Sequence, residues 1–358
     1  MDALRERDET ARLQERVRAA AARQVPLALC GSGSKAFLGN AGEGEPLDLA
    51  AHAGIVAYAP GELVVTARAG TRLVDLETVL AANGQMLAFE PPHFGGNATL
   101  GGTIACGLSG PRRATAGAAR DFVLGVRLVD GRGDVLRFGG EVIKNVAGYD
   151  VSRLMTGAFG TLGILLEISL RVVPRPRAET TRVLELGPVE ALQRVRDWSL
   201  RPLPISASAI LDGRLHMRLS GAESAVRSAA AEIGGEAIDG DAFWRAVREH
   251  TLPFFDDPRT LWRLSVAPAT PIADGDEHAL IEWHGAQRWA KSDEPPARFR
   301  ARASAAGGHA TRFRGRANGA ADDAFHAPSA ALKTLHRRLK AVFDPHGIFN
   351  RGRLFAGL

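Results

Sequence analysis

Residues 91–102 read PPHFGGNATLGG and residues 157–164 read GAFGTLGI, two stretches with more glycine than a packed core has use for. Glycine has no Cβ, so the backbone N–H groups of such loops can converge on one point. A third loop, CGSGSK at residues 30–35, has the same character. Three loops of this kind on one chain predict a site for a long, phosphate-containing ligand that resembles a dinucleotide.

The first loop follows a short predicted strand at residues 27–29, which is where a P-loop would begin. Ala36 follows Lys35, so neither G-x-x-x-x-G-K-[ST] nor G-x-G-x-x-G is present. Two interpretations of the loop remain open. It is either a tight turn that offers amides and the hydroxyls of Ser32 and Ser34 to an oxyanion, or an ordinary hairpin turn.

The second loop, ATLGG at residues 98–102, precedes a short predicted helix. Gly101 and Gly102 would let the backbone approach a ligand closely, and the helix N-terminus would favour a pyrophosphate. Further along, we expect Cys106 to be a small buried residue. We expect Arg112 and Arg113 to be solvated.

Composition limits the possible functions. The 45 Lys and Arg residues are scattered among 40 Asp and Glu residues rather than gathered in one tract, which argues against a nucleic-acid partner. Cys30 and Cys106 are the two cysteines, too few for a disulfide framework or for an iron–sulfur cluster of this chain's own. The charged N-terminus and the short apolar runs predict a cytoplasmic protein without a signal peptide.

A length of 358 residues predicts more than one domain. The clearest strand pattern begins at Ile164 and stops at Pro174-Arg175-Pro176, which predicts a boundary there. Predicted helices at residues 189–200 and 222–233, with short strands between them, indicate an α+β domain with a small antiparallel sheet. We therefore expect domains at residues 1–175 and 176–328, followed by a C-terminal helix and tail at 329–358.

Residues 144–157, KNVAGYDVSRLMTG, together with GTLGI at 160–164, resemble the K-N-x-x-G-Y-D and G-T-L-G-I signature of the vanillyl-alcohol oxidase and p-cresol methylhydroxylase (PCMH) superfamily of FAD-binding domains. Residues 98–102 and 31–34 resemble that superfamily's A-T-x-G-G loop and first phosphate loop. Nearly the whole chain also resembles a smaller family within that superfamily, the FAD-binding subunits of bacterial glycolate oxidase. ACGLSGPRR at 105–113, LPFF at 252–255 and GGHATRF at 307–313 carry it.

The resemblance implies an α+β fold: a PCMH-type FAD-binding domain of two α+β subdomains, a reduced cap domain, and a C-terminal helix that returns to the FAD domain. It places the pyrophosphate on amides of the first two loops and the flavin ring near Gly157 and residues 161–164. The first loop has no His, so we expect non-covalent FAD, with Cys30 as a remote attachment point. The implied cofactor-binding residues are Gly31, Ser32, Gly33, Ser34, Pro91, Ala98, Thr99, Gly101, Gly102, Gly107, Gly148, Gly157, Thr161, Gly163 and Ile164.

The implied activity is that of an FAD-dependent glycolate (2-hydroxy-acid) oxidoreductase subunit. Its implied partners are a second, catalytic FAD-containing subunit and an iron–sulfur subunit, through which it would reach the inner face of the cytoplasmic membrane. Two alternatives stay open: a non-catalytic flavin scaffold or electron relay, and a stand-alone oxidase of another alcohol or sugar. The H-x-G-D-G-N-x-H metal stretch of hydroxy-acid-oxidising relatives is absent, with GGHA at 307–310 nearest to it, so we expect no metal site.

Oxidation of a 2-hydroxy acid needs a base for the hydroxyl proton and a cation for the carboxylate. His309 and Arg312 lie close together beside a glycine pair, and Arg263 lies on a predicted strand, so these three are the predicted catalytic residues. In the alternative interpretation, His309 is a structural histidine and Arg263 belongs to an ion pair. We also predict that Gly101→Val and Gly163→Val lose FAD, because the new side chain would occupy the cofactor's place.

Overall fold

The computed structural model describes residues 6–140, 151–273, 278–315 and 323–358. The helices are α1 Thr10–Arg23, α2 Leu73–Ala82, α3 Leu100–Cys106, α4 Arg113–Ala116, α5 Ala119–Phe122, α6 Val151–Leu154, α7 Pro188–Ser199, α8 Glu223–Ile233, α9 Gly240–Glu249, α10 Pro296–Ala305 and α11 Ala330–Phe343. The strands are β1 Leu27–Cys30, β2 Glu45–Asp48, β3 Ile55–Ala59, β4 Val64–Arg68, β5 Gln85–Met86, β6 Val123–Val129, β7 Val135–Gly139, β8 Ile164–Arg171, β9 Val173–Pro174, β10 Ala178–Glu185, β11 Ile205–Leu211, β12 Arg214–Gly221, β13 Glu236–Ile238, β14 Leu261–Ser265, β15 Leu280–Glu282, β16 Gln287–Lys291 and β17 His309–Arg314.

The N-terminal half is organised around a five-stranded antiparallel sheet in the order β3-β4-β8-β6-β7. The central strand β8 buries both of its faces, which explains its long apolar run. Leu165 and Ile168 pack with α2 and α3 residues, whereas Ile164 and Leu166 pack with α1 residues. The sheet therefore lies between two apolar layers, and the loops at its ends are free to form a site.

The C-terminal half is organised around an eight-stranded sheet in the order β13-β10-β12-β11-β15-β16-β14-β17. Its strand pairs are antiparallel, as predicted, but the sheet is larger than the small one expected. The sequence interpretation missed β10, β16 and β17, whose charged residues interrupt the apolar alternation, and the three-residue strand β13. Helices α7 and α8 cover part of one face.

The two sheets separate at residues 172–177, beside the predicted boundary Pro174-Arg175-Pro176. The domain limits 1–175, 176–328 and 329–358 stay a proposal, which this separation supports. Residues before the boundary are called the FAD domain, and residues 176–328 are called the cap.

The first loop is a crossover connection. Strands β1 and β2 pair in parallel, and residues 31–44 connect them. Because a tight hairpin turn can only join antiparallel strands, the hairpin interpretation of this loop is wrong.

The C-terminal helix α11 returns to the FAD domain, as predicted. Lys340 Nζ donates to the carbonyl oxygens of Thr161 and Phe349, both at 2.7 Å, and the ring of Phe343 lies 6.0 Å from that of Phe138. Among the residues that the structure describes, no helix has both the length and the apolar character needed to cross a membrane.

A buried charge network joins the two domains. The Glu90 carboxylate accepts from Arg112 Nε at 3.0 Å and from Arg218 Nη2 of the cap at 2.8 Å. Glu179 of the cap pairs with Arg112 and lies 3.8 Å from Arg218 Nε. Arg112 is buried, so the expectation that it is solvated is wrong.

Candidate functional site

A cavity of about 250 Å³ lies in the FAD domain where the predicted glycine loops meet. Nine of the predicted cofactor-binding residues line it: Gly31, Ser32, Gly33, Ser34, Thr99, Gly101, Gly102, Gly163 and Ile164. Five others do not, namely Pro91, Ala98, Gly107, Gly157 and Thr161. Gly148 lies outside the described residues. The three loops thus come together as predicted, although some of their residues serve the fold instead.

The first loop provides free amide donors. Within the described part of the chain, the backbone N–H groups of Gly31, Ser32 and Gly33 donate to no protein acceptor. Gly33 has a φ of +73°, a conformation that glycine adopts without strain. A loop that leaves three neighbouring amides free beside a cavity fits an oxyanion such as a phosphate.

Lys35 adds a positive charge at the end of this loop. Its side chain is buried, and its Nζ makes long hydrogen bonds to the carbonyl oxygen of His93 at 3.3 Å and to Ser34 Oγ at 3.4 Å. Burial lowers the pKa of Lys35, and Cys106 and Glu249 oppose that shift only in part. An anion in the cavity would compensate a buried charge of this kind.

The second loop already uses its amides within the protein. Leu100 N donates to Thr71 O at 2.9 Å, Gly101 N to Ala69 O at 2.7 Å, and Gly102 N to Thr99 Oγ1 at 3.2 Å. The interpretation of this helix start as a set of amide donors for pyrophosphate is therefore not supported. The loop instead shapes the cavity wall.

Glycine at positions 101 and 163 is required by the protein itself. A Cβ on Gly101 would lie 2.7 Å from Ala69 Cβ, and one on Gly163 would lie 2.9 Å from Val129 O. Ala69 directly follows β4 and Val129 ends β6, so a new Cβ at either position first meets the protein. Both glycines also line the cavity, and the loss of FAD in the valine variants stays a prediction.

The predicted residues that miss the cavity pack the loops together. A Cβ on Gly107 would lie 3.1 Å from Gly157 Cα, and Gly157 N donates to Ile104 O at 3.0 Å. The hydroxyl of buried Thr161 donates to Ala158 O at 2.7 Å. Glycine at 107 lets the end of α3 approach the third loop, whereas Gly157 has a φ of +81°, which glycine adopts without strain.

Sequence reasoning missed several lining residues, among them Leu29, Lys35, Phe159, Asn350 and Arg353. Asn350 Oδ1 accepts from Leu29 N at 2.7 Å and its Nδ2 donates to Phe159 O at 2.6 Å, so the C-terminal tail joins β1 to the third loop. Lys35 adjoins a loop already singled out and could have been included. Nothing local in the sequence connects the tail to the cavity.

A wider groove of about 1140 Å³ adjoins the cavity and shares Ala36 and Arg353 with it. Cavity and groove together form an elongated site. Both the apolar residues Leu29, Met155 and Phe159 and the free amides of residues 31–33 line the cavity. This combination fits an extended flavin dinucleotide, with apolar walls for a flat ring and donors for the diphosphate.

The structure brings together two of the three predicted catalytic residues. Arg263 on β14 pairs with Thr311, and His309 pairs with Ser265, so alternation puts Arg263 and His309 on one face of the sheet. Arg312 pairs with Trp262, whose ring stacks on Phe299 on the other face. Arg312 therefore does not join the other two. None of the three lines the FAD-domain cavity, although Arg312 lines the wider groove beside it.

A second, small cavity of about 20 Å³ lies between the FAD domain and the cap. It is lined by Arg263, His250 and Glu282 from the cap and by residues 108–111 from the FAD domain. Glu282 Oε2 accepts from Trp289 Nε1 at 2.6 Å and Gln287 Nε2 at 3.0 Å. Burial raises the pKa of Glu282 to about 7, and those hydrogen bonds oppose the shift.

Glu282 should make stability depend on pH in an unusual direction. A carboxyl whose pKa is higher in the folded state stabilises the fold fully below its unfolded pKa, and this contribution is lost as the pH rises through about 7. Glu282→Gln removes the titrating group. We expect the difference in Tm between about pH 5.5 and about pH 8 to be smaller in the variant than in the wild type. An unchanged difference in thermal unfolding would show that Glu282 is ionised at both pH values.

Within the described ranges, no group of three or more His, Cys, Asp and Glu side chains is placed to hold a metal ion.

Comparisons with known proteins agree with this geometry. A family model described as an FAD binding domain matches residues 2–139. The glycolate oxidase subunit GlcE of Escherichia coli (strain K12) is 50% identical over 355 residues, which cover 99% of this chain and 100% of that protein. The glycolate oxidase subunit GlcD of Bacillus subtilis (strain 168) is 36% identical over 118 residues, 33% of this chain and 25% of GlcD.

A solved structure of alkyldihydroxyacetonephosphate synthase superposes with a TM-score of 0.66 at 16% identity, covering 94% of this chain and 74% of that one. At this identity the likeness concerns the fold alone.

Proposed function

This chain belongs to the family of the glycolate oxidase subunit GlcE, and from that membership we propose that it is the FAD-binding subunit of a glycolate oxidase complex that converts glycolate to glyoxylate. The observation that carries the proposal is the 50% identity that spans 99% of this chain and all of its relative. A match of this extent includes the loops, the cap and the tail.

The residues present fit non-covalent FAD. The free amides of residues 31–33 and the charge of Lys35 would hold the diphosphate, and Leu29, Met155 and Phe159 would contact the flat ring. Bound FAD supplies the acceptor for the two electrons removed from the substrate. The chain's own part is to bind, orient and screen the reactants.

For the substrate, we propose that Arg263 holds the carboxylate and His309 takes the hydroxyl proton on its imidazole. Burial lowers the pKa of His309, with further contributions from Arg263, His326 and Arg113. His309 is therefore neutral at pH 7 and able to accept a proton. Arg312 is left out because it lies on the other face of the sheet.

The proposed partners are a GlcD-type FAD-containing catalytic subunit and an iron–sulfur subunit that receives the electrons. Any contact with the cytoplasmic membrane would be made through these partners, with this chain on the cytoplasmic side.

A second candidate function is a flavin-binding scaffold or electron relay beside a catalytic flavoprotein subunit. The observation that favours it is that, within the described ranges, neither Arg263 nor His309 lines the FAD-domain cavity or the groove beside it, whose cap residues are Arg312, Gly315 and Asp323. Arg263 and His309 would then act only if the cofactor reaches from the cavity to the cap sheet.

Anaerobic mixing of the FAD-loaded chain with glycolate separates the two candidates. If this chain oxidises substrate, its flavin absorbance bleaches, and His309→Gln lowers the bleaching rate by roughly a hundredfold or more through loss of the base. The rate should also fall as the pH drops through the pKa of His309, which lies below 6.5. The matched control is His278→Gln, a substitution at an exposed histidine.

An oxidised spectrum that glycolate leaves unchanged, in a chain that retains FAD, would favour the scaffold function. Equal rates for His309→Gln and wild type would remove His309 from the mechanism.

A further inference from the structure

Arg113 reaches the cap from the FAD-domain side. It begins α4, and its guanidinium carbon lies 4.4 Å from the ring centroid of Trp283 in the cap. Trp283 Nε1 in turn donates to Gly110 O at 3.0 Å in a buried hydrogen bond. The turn at residues 110–113 is thereby fixed against the cap, and stacking on the indole fixes the direction of the Arg113 side chain.

Arg263 approaches the same region from the cap sheet. Its guanidinium carbon lies 5.6 Å from the ring centroid of Phe313. The small cavity that Arg263 lines is also lined by Gly110 and Pro111, the residues that lead into Arg113. His309 lies on the same face of the sheet. Arg113 itself does not line the small cavity, but its charge acts on both Arg263 and His309. The two arginines therefore approach the same boundary between the domains from opposite sides.

Neither arginine forms an ion pair within the described residues, although the charge of Asp121 acts on Arg113. Arg113 and Arg263 form no ion pair and no side-chain hydrogen bond there. The one carboxyl that lines the small cavity, Glu282, accepts from Trp289 and Gln287 instead.

The two charges also repel each other. Burial lowers the pKa of Arg263 to about 10, and the charge of Arg113 contributes to that shift. Burial lowers the pKa of Arg113 as well. Only the charge of Asp121 opposes the shift at Arg113, and no anion of the described residues opposes the shift at Arg263. Two half-buried like charges with so little compensation cost free energy, which an anion between them would recover.

We propose that Arg113 and Arg263 hold one carboxylate from opposite sides of the cleft between the FAD domain and the cap. Arg113 is thus a specificity-determining residue for a small 2-hydroxy acid. The inference rests on the proposed function and adds to it a cation from the FAD domain. The planar guanidinium suits a carboxylate because it can donate two parallel hydrogen bonds. The clamp is complete only when the two domains are docked.

The test uses Arg113→Met in the full chain loaded with FAD. Oxalate, a dicarboxylate that cannot be oxidised at a hydroxyl carbon, is titrated calorimetrically. We expect the Kd for oxalate to rise at least tenfold in the variant. In the assembled complex the KM for glycolate should rise by a similar factor, while the KM for the uncharged analogue glycolamide stays unchanged. The matched control is Arg227→Met, an exposed arginine on α8, for which neither quantity should change.

Oxalate affinity in Arg113→Met equal to wild type, or no oxalate binding by the wild-type chain, would overturn the clamp. Should Arg113→Met fail to retain FAD, Arg113→Lys replaces it. Lysine keeps the charge but cannot donate two parallel hydrogen bonds, so the Kd for oxalate should still rise several-fold. Equal affinity would again overturn the proposal. Arginine-dependent oxalate binding without glycolate turnover would support the clamp and contradict the proposed function, so the two can fail separately.

Discussion

Gly31→Ala is expected to leave the chain folded but largely free of FAD. A Cβ at position 31 would lie 2.4 Å from Thr99 Oγ1, which caps α3 by accepting from Gly102 N. The methyl group must push the first loop away from α3 or break the hydrogen bond between Thr99 Oγ1 and Gly102 N. Either change displaces the free amides. We expect FAD affinity to fall roughly a hundredfold, equivalent to about 2.7 kcal/mol. The flavin-to-protein ratio and a fluorescence titration with FAD measure it.

The control for Gly31→Ala is Gly96→Ala. A Cβ on Gly96 meets no atom within 4 Å, so this variant should bind FAD like the wild type. Gly101→Val and Gly163→Val form a third class. Their new atoms meet the FAD-domain sheet, so we expect a lower Tm together with the loss of FAD. Stoichiometric FAD in purified Gly31→Ala would contradict the assignment of the diphosphate to the first loop.

The glycine loops could be predicted because their composition is local information. Residues 31–34 and 160–164 could be identified from their closely spaced glycines and from the predicted strand beside each stretch. What each glycine does could not be predicted in the same way. A Cβ on Gly101 or Gly163 would meet Ala69 beside β4 or Val129 of β6, and one on Gly31 would meet Thr99 at the start of α3. Glycine therefore permits close packing at all three positions, and at Gly31 that packing also holds free amides beside the cavity.

The catalytic residues show the limit of reasoning from sequence spacing. His309 and Arg312 are three positions apart, which suggests proximity on a helix, but they lie on a strand. There, odd separations put side chains on opposite faces, so the spacing separates the two. Arg113 was expected to be solvated, but it packs on Trp283, which is distant in sequence, so no local pattern indicated the contact. Contacts between domains carry no local signal.

The buried charge network between the domains also consists of contacts between residues that are distant in sequence. Glu90 lies in a turn with φ of +46°, and it accepts from Arg112 of its own domain and Arg218 of the cap. Burial opposes the ionised form of Glu90, but the charges and hydrogen bonds of Arg218 and Arg112 outweigh it, and the pKa of Glu90 is lowered. The network therefore orients the cap against the FAD domain.

Arg218→Met is expected to have the largest effect on stability. It leaves the Glu90 and Glu179 carboxylates short of one cation in a buried setting, which should lower the free energy of unfolding by about 3 kcal/mol.

The pH dependence of the stability of Arg218→Met supplies an independent readout. Because the pKa of Glu90 is lowered in the fold, its stabilisation is present above the unfolded value near 4.5 and is lost as the pH falls through the folded value. Arg218→Met should weaken this acid-dependent loss in urea titrations. Arg214→Met on the same strand removes an exposed ion pair with Glu185, so it should change stability by no more than about 0.5 kcal/mol. Equal unfolding midpoints for the two variants would mean that the network does not hold the domains together.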